Sequence, residues 1–123
     1  RSGGMKIERE LMRGAGPVAV LKLLQQGEMY GYELVEALSS RTEGVLAMGQ
    51  STLYPMLYNL EAKGLVRSKW RDAENGRSRK YYALTGKGEK RLSAETKQWN
   101  AIVGAMESIG VVTGQRVGGR VMA

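Results

Sequence analysis

Residues 50–64 read QSTLYPMLYNLEAKG, and this stretch decides the fold. Its leucine and methionine side chains recur at steps of three and four residues, which predicts a helix with one apolar face. The opposite face carries hydroxyls, aromatic rings and a carboxamide, with no carboxylate before Glu61. A short helix with such a face can enter a DNA major groove. The alternative is an ordinary amphipathic surface helix.

The two ends of this helix also have sequence signals. Ser51 is expected to be the N-cap, since its hydroxyl oxygen can accept a hydrogen bond from a free backbone N–H. Pro55 is expected in the first turn, where a missing N–H costs least. Gly64 fits a left-handed C′ position, and Leu65 is expected to pack back on Leu60 in a Schellman ending.

Two more helices are predicted before this one. Residues 5–13 suggest a short arm or helical turn, which the run Gly14-Ala15-Gly16-Pro17 is expected to break. Pro17 suits the first position of an apolar core helix that ends near Gly27. A further helix is predicted to open at Tyr30 and to stop near Ser40. Three helices with short connections follow the helix-turn-helix plan.

After Gly64 the apolar period changes from 3.6 to 2, which predicts strands. Residues 65–71 alternate between the two faces, Asn75-Gly76 is a strong turn signal, and residues 79–84 form a second strand. An isolated two-stranded hairpin is barely stable, so it should pack on the helices as a wing. The tip, taken as residues 75–80, carries three cations that can follow a phosphate backbone or enter a minor groove. A tip made basic only for solubility is the alternative.

Thr85 is expected to cap a last helix, which runs over residues 86–110. Leu92, Trp99 and Met106 recur at seven-residue steps, the pattern of a helix that packs on another helix. One copy of the domain cannot cover so long a helix, so a homodimer is predicted, with a fold back onto the same chain as the alternative. The predicted dimer interface consists of Leu92, Trp99, Ile102, Val103, Met106 and Ile109.

The positive charge is concentrated in one part of the chain. The net charge is +7, and residues 63–97 contain 11 of the 19 Lys/Arg but only 4 of the 12 Asp/Glu. The whole excess therefore lies just after the helix at 50–64. Such a cluster favours an anionic partner, and nucleic acid comes first because Lys and Arg neutralise phosphates. An anionic membrane is less favoured, since the basic region lacks an amphipathic-helix pattern.

Composition argues against several other classes of protein. No run of 18 apolar residues indicates a membrane span, and the absence of Cys predicts a cytoplasmic protein. Because His is also absent, the usual general base and the commonest metal ligand are missing. We therefore expect no enzyme, no metal and no cofactor.

The sequence thus predicts a mainly α, α+β fold with a small β-hairpin. Residues 1–4 look like a cloning remnant, and residues 5–85 are predicted to form a winged helix-turn-helix domain. Residues 86–110 are the dimerisation helix, and residues 111–123 form a Gly-rich tail that is expected to be mobile.

Three strings in this chain carry a resemblance to a known family. They are MYGYEL at 29–34, STLYPMLYNLEAKGLV at 51–66 and GRSRKYYALTGKG at 76–88. In this order and spacing they resemble the PadR family of bacterial transcriptional regulators, which are mostly repressors with a winged helix. The match covers about residues 5–109, and the single last helix is similar to the short-tailed branch, whose dimers exchange that helix.

The resemblance implies roles for particular residues. The implied DNA-binding set is Tyr30, Gly31, Tyr32, Gln50, Ser51, Thr52, Tyr54, Pro55, Tyr58, Asn75, Gly76, Arg77, Arg79 and Lys80. Some short-tailed relatives admit flat aromatic compounds beside the tryptophan of the last helix. The corresponding ligand-binding set here is Gly14, Val18, Thr96, Trp99 and Val103.

The function implied by the resemblance is a sequence-specific regulator that binds double-stranded DNA. It would be a homodimeric repressor of its own and neighbouring promoters, bound to a palindromic operator in the nucleoid and released by a planar aromatic effector. The alternative is a winged-helix protein-interaction module without specific DNA binding.

Overall fold

The structure is a computed structural model, and it describes residues 5–113. Four helices and a three-stranded antiparallel sheet make up the fold, in agreement with the predicted α+β class. In chain order they are α1 (Arg9–Gln25), β1 (Met29–Tyr30), α2 (Gly31–Ser40), α3 (Gln50–Ala62), β2 (Val66–Asp72), β3 (Ser78–Leu84) and α4 (Gly86–Ser108). No helix among residues 5–113 has the length and the apolar character that crossing a bilayer requires. The cloning remnant at 1–4 and most of the tail lie outside the described residues.

The chain divides into two compact units, and the division falls inside α4. One unit ends at Leu92 and the other begins at Ser93. The first two turns of α4 thus belong to the first unit. The winged-helix domain was predicted to end at residue 85, seven residues before this boundary.

Helix α1 is continuous, so the predicted break at residues 14–17 is wrong. Pro17 lies in the interior of the helix rather than at its first position. A proline there loses one backbone hydrogen bond, but the residues around it are packed. Gly16 is buried beneath α3, where an added Cβ would lie 2.7 Å from Met56 Cε. Val20 and Leu21 follow on the same side in the core, and this burial on both sides of Pro17 offsets the missing bond.

Helix α3 buries the apolar face that the sequence predicted. Leu53, Leu57 and Leu60 are almost fully buried. At the C-terminus, Gly64 has a φ of +76°. The Leu65 N–H donates to the Leu60 carbonyl at 2.9 Å, which confirms the Schellman ending.

The N-terminus of α3 differs from the prediction. Gly49, not Ser51, is the N-cap, and no side chain caps the helix. The helix therefore begins two residues earlier than a Ser51 cap would allow, and Pro55 falls in the second turn. The extended backbone of Gly49 makes the cap, with its carbonyl accepting from Leu53 N–H at 3.0 Å.

The sheet has one strand more than the predicted hairpin, in the order β1-β3-β2. Strand β1 is only two residues long and pairs Met29 with Tyr82 and Tyr30 with Tyr81. Two residues are too few to produce an alternating pattern, so sequence periodicity could not reveal them. This short strand joins the start of α2 directly to the wing.

The start of α4 is fixed to the end of α3. The Thr85 hydroxyl accepts from the Gly88 N–H at 2.9 Å, which confirms the predicted cap, and it donates to the Gly64 carbonyl at 2.7 Å. Leu92 is 3% exposed and belongs to the core of the first unit. It is therefore unavailable for the dimer interface to which its heptad spacing assigned it.

The remaining apolar side chains of the predicted interface are exposed in the second unit. Trp99, Val103 and Met106 are 37–38% exposed, Ile102 is 48% exposed and Ile109 is 75% exposed. Because α4 ends at Ser108, Ile109 lies in the turn that follows the helix.

Candidate nucleic-acid interface

The polar side of α3 is the centre of the candidate interface. Residues of this face that the sequence singled out are exposed, and they are Gln50, Ser51, Thr52, Tyr54, Pro55 and Tyr58. The first turn of α3 contains no acidic residue. The helix therefore presents hydroxyl, amide and phenol groups without a negative charge near its N-terminus, an arrangement that can approach base edges and phosphates.

Tyr54 packs against the N-terminus of α2, which explains the glycine at position 31. A Cβ added to Gly31 would lie 2.7 Å from Tyr54 Cζ and closer still to the hydroxyl. The ring is nevertheless 41% exposed. Tyr54 thus fixes α3 against α2 while one edge of its ring remains accessible. Gly31 is buried beneath it, so its role in this structure is to make room for the tyrosine.

The two tyrosines at the start of α2 have different surroundings. Tyr30 is the N-cap residue, and its backbone N–H donates to the Glu33 carboxylate at 3.1 Å. Tyr32 is 52% exposed. A hydrogen bond to Glu36, together with the charge of that carboxylate, raises the pKa of Tyr32. The Tyr32 hydroxyl therefore has the Glu36 carboxylate as its hydrogen-bond partner.

The wing turn is tighter than the predicted tip. Ala73 N–H donates to the Arg77 carbonyl at 2.7 Å, and Gly76 has a φ of +86°. The Asn75 carboxamide oxygen accepts from the Arg77 N–H at 3.0 Å. Of the three predicted tip cations, only Arg77 lies in this turn.

Arg79 and Lys80 lie in β3 and on opposite faces of the sheet, because side chains alternate along a strand. The predicted tip of residues 75–80 is therefore wrong in extent. The pairing of β2 with β3 begins at Asp72 and Ser78, where the Ser78 hydroxyl donates to the Asp72 carboxylate at 2.8 Å. This bond closes the turn before Arg79 is reached.

One face of the sheet combines cations with tyrosine rings. We call it the outer cation face, and its residues are Tyr30, Arg67, Lys69, Arg71, Arg79 and Tyr81, which the pairing register places on one side. Arg79 Cζ lies 4.5 Å from the centroid of the Tyr30 ring, and Arg71 Cζ lies 4.5 Å from that of Tyr81. The two rings meet edge to face at 5.3 Å, and Arg71 also forms an ion pair with Glu28.

The DNA-binding set predicted from the sequence contains only two residues of this face, Tyr30 and Arg79. The alternation of β2 did place Arg67, Lys69 and Arg71 on one side, and the register confirms it. That signal could have added these cations to the set. It could not have found the Glu28–Arg71 ion pair, since these two residues come together only when β3 pairs with both β1 and β2.

The opposite face of the sheet packs on the helices around Tyr82, whereas Trp70, farther along the same face, is exposed. Tyr82 is 5% exposed, and its burial, together with the nearby Glu61, raises the pKa of its phenol. The Ser68 hydroxyl donates to the Glu61 carboxylate at 2.7 Å, which ties β2 to α3. Lys80 Nζ lies 5.8 Å from the Tyr82 ring centroid. The wing is therefore fastened to α3 by buried contacts.

The predicted ligand-binding residues are divided between the two units. Gly14 and Val18 belong to α1, and Val18 is half-buried. Thr96, Trp99 and Val103 belong to the later part of α4 and are exposed. A site that combines all five remains a proposal.

Comparison with known proteins identifies the family. The family described as "Transcriptional regulator PadR-like family" matches residues 20–94, which hold α2, α3, the sheet and the start of α4. The chain belongs to the PadR-like family of transcriptional regulators. Members of this family are transcriptional regulators, which agrees with the expectation that the chain is not an enzyme.

Individual relatives agree with this assignment. The transcriptional regulator Rv3488 of Mycobacterium tuberculosis is 34% identical over 89 residues, which are 72% of this chain and 79% of the relative. A PadR-family regulator from Eggerthella lenta matches with a TM-score of 0.71 and 32% identity, over 81% of this chain and 85% of that one. A transcriptional regulator from Clostridium thermocellum has a TM-score of 0.75 at 26% identity, over 85% and 98% of the two chains.

Proposed function

We propose that this PadR-like regulator binds double-stranded DNA sequence-specifically through α3 and the wing. The observation that carries the proposal is the division of α3 into two faces. Its leucines are buried in the core, while its hydroxyl and amide groups and the phenol of Tyr58 are exposed, with no acidic residue in the first turn. Such a face can hydrogen-bond base edges in a major groove. Arg77 in the wing turn adds a charge that can contact a phosphate.

We further propose that the protein acts as a homodimer. The support is the exposed row of Trp99, Ile102, Val103 and Met106 on α4. Large apolar side chains arranged in this way on one helix are a common dimer seam. A two-fold dimer would present two copies of α3 to a palindrome with half-sites about one helical turn apart.

Repression of its own and neighbouring promoters is part of the proposal, as is binding to the nucleoid in the cytoplasm. A planar aromatic effector is also included. It would stack on Trp99 and the partner copy's equivalent ring at the dimer interface. Binding at that position would release DNA by changing the spacing of the two α3 helices.

The proposal is tested by a mobility-shift assay with the protein's own upstream DNA over a series of salt concentrations. A saturable shift that survives non-specific competitor DNA is expected. A shift that disappears at moderate salt without sequence preference would contradict specific recognition. No shift at any salt would favour a protein-interaction module instead. Planar aromatic compounds added to the same assay test the effector.

Alanine variants separate the two parts of the interface. Changing Thr52 on α3 should relax sequence preference by about 1–3 kcal/mol per lost base contact. Changing Arg77 should instead weaken binding to all sequences and reduce the salt slope by about 1.8 units, because the homodimer loses one phosphate contact from each protomer. If both variants behave alike, the division of roles between α3 and the wing is wrong.

A further inference from the structure

The outer cation face carries more positive charge than the wing turn. Arg67, Lys69 and Arg71 are exposed along β2, and Arg79 is half-buried beside them on β3. Glu28 is the carboxylate that reaches this cluster, through its ion pair with Arg71. Side chains at alternate positions of a strand are about 7 Å apart, so β2 presents its cations as an evenly spaced row.

Two arginines of the outer cation face are held in place from beneath. Arg71 and Arg79 each lie over a tyrosine ring, and the two rings support each other. The faces of the rings are therefore covered by guanidinium groups and are not open for a base to stack on them. The surface offers charge without an aromatic platform, which fits a phosphate backbone better than unstacked bases.

The row is also continuous with α3. Tyr54 of α3 packs on Gly31, and the next residue, Tyr30, supports Arg79. The start of α2 therefore connects α3, through Tyr54 and Gly31, with the outer cation face, through Tyr30 and Arg79.

We propose that the outer cation face binds the phosphate backbone of the duplex that flanks the operator. This inference rests on the proposed function and extends it, because Arg67 and Lys69 belong to neither α3 nor the wing turn. Contacts of this kind carry no base specificity, but they add affinity and salt dependence. If these contacts form, the affinity should increase when the duplex extends beyond the operator.

The test compares the double variant Arg67→Ala/Lys69→Ala with wild type on two duplexes. One duplex ends at the edges of the operator, and the other extends about one helical turn beyond each edge. Fluorescence anisotropy over a salt series gives the affinity and its salt slope. The matched control is Lys22→Ala/Lys90→Ala, which removes two exposed charges of the same unit from helices α1 and α4.

Wild type is expected to bind the longer duplex more tightly than the shorter one. The Arg67/Lys69 variant should lose at least about tenfold in affinity on the longer duplex. Its salt slope should be shallower by about 3.6 units, because the homodimer loses two phosphate contacts from each protomer. On the shorter duplex it should match wild type, and the control should match wild type on both. The variant Arg67→Gln/Lys69→Gln, which keeps longer side chains on the strand, should repeat the result if the alanine variant is poorly folded.

Three outcomes would overturn the proposal. A variant equal to the control on the longer duplex would show that the face does not touch DNA, while specific binding by wild type would leave the proposed function intact. Equal losses on both duplexes would place these cations within the operator contact rather than beside it. Wild type without specific binding to either duplex would remove both the inference and the function on which it rests.

Discussion

The guanidinium carbon of Arg79 lies 4.5 Å from the centroid of the Tyr30 ring, so an arginine of the wing rests on the N-cap residue of α2. This contact links β3 of the wing to the start of α2. It gives the Tyr30 ring a role as a support for the Arg79 guanidinium group.

Tyr30→Leu should therefore weaken DNA binding through Arg79. A cation–π contact at an exposed site is worth about 0.5–1 kcal/mol, which corresponds to roughly a two- to fivefold loss of affinity. Tyr30→Phe keeps the ring and should bind as wild type does. The measurement is a double-mutant cycle with Arg79→Ala, in which Tyr30→Leu should have little further effect. Full additivity of the two changes would contradict the coupling.

Gly31→Ala should destabilise the protein by about 1–3 kcal/mol, because the new Cβ would overlap the Tyr54 ring. The rigid ring must move as a whole, and α3 would lose its contact with the start of α2. Urea denaturation measures the change. The same substitution in a Tyr54→Ala background should cost much less. An equal cost in both backgrounds would place the strain elsewhere.

Gly88→Ala should be more damaging than any surface change on α4. Its Cβ would collide with the Leu65 carbonyl, a backbone atom, and would lie 2.7 Å from Leu84 Cδ1. We expect a loss of about 3 kcal/mol or more, since overpacking against backbone cannot relax. Gly86→Ala is the matched control, because nothing lies within 4 Å of its added Cβ. Similar thermal midpoints for the two variants would refute this account.

Charged substitutions on the exposed face of α4 should separate the proposed dimer. Val103→Asp/Met106→Asp would bury two carboxylates in an apolar seam, which is strongly unfavourable. Analytical ultracentrifugation should then report monomers at concentrations where wild type is dimeric. Asn100→Asp, also on α4, tests whether an added charge alone has this effect. A wild-type protein that sediments as a monomer at the same concentrations would contradict the dimer proposal.

Tyr82 should make stability depend on alkaline pH. Its pKa is raised from 10.0 in the folded protein, so the folded state holds the phenolic proton more tightly than the unfolded chain. This contribution is complete below about pH 10 and is lost as the pH rises through the folded pKa. Tyr82→Phe cannot ionise, so its unfolding free energy should fall less steeply above pH 10 in urea titrations. Parallel pH profiles would contradict the assignment.

The sequence predicted those parts of the fold that depend on local signals. The apolar face of α3, the left-handed Gly64 and the Thr85 cap follow from residue types at fixed spacing. The faces of β2 followed from alternation alone. These features agree with the structure because local preference and tertiary packing act in the same direction.

The features that were missed depend on contacts between distant residues. Strand β1 exists because Tyr30 pairs with Tyr81, and α1 continues through Pro17 because both sides of the proline are packed. Leu92 fits the heptad, but the core of the first unit buries it. Spacing places a residue on a face of its helix. It does not say which neighbour will cover that face.

The hydroxyl of Thr85 has a consequence for how a signal could travel in this protein. Because that single oxygen donates to the carbonyl of Gly64, in the turn that ends α3, and accepts from Gly88 in the first turn of α4, a rotation at either position would loosen the other hydrogen bond. If α4 dimerises and α3 contacts DNA as proposed, strain in the first turn of α4 would reach the end of α3 through this one side chain.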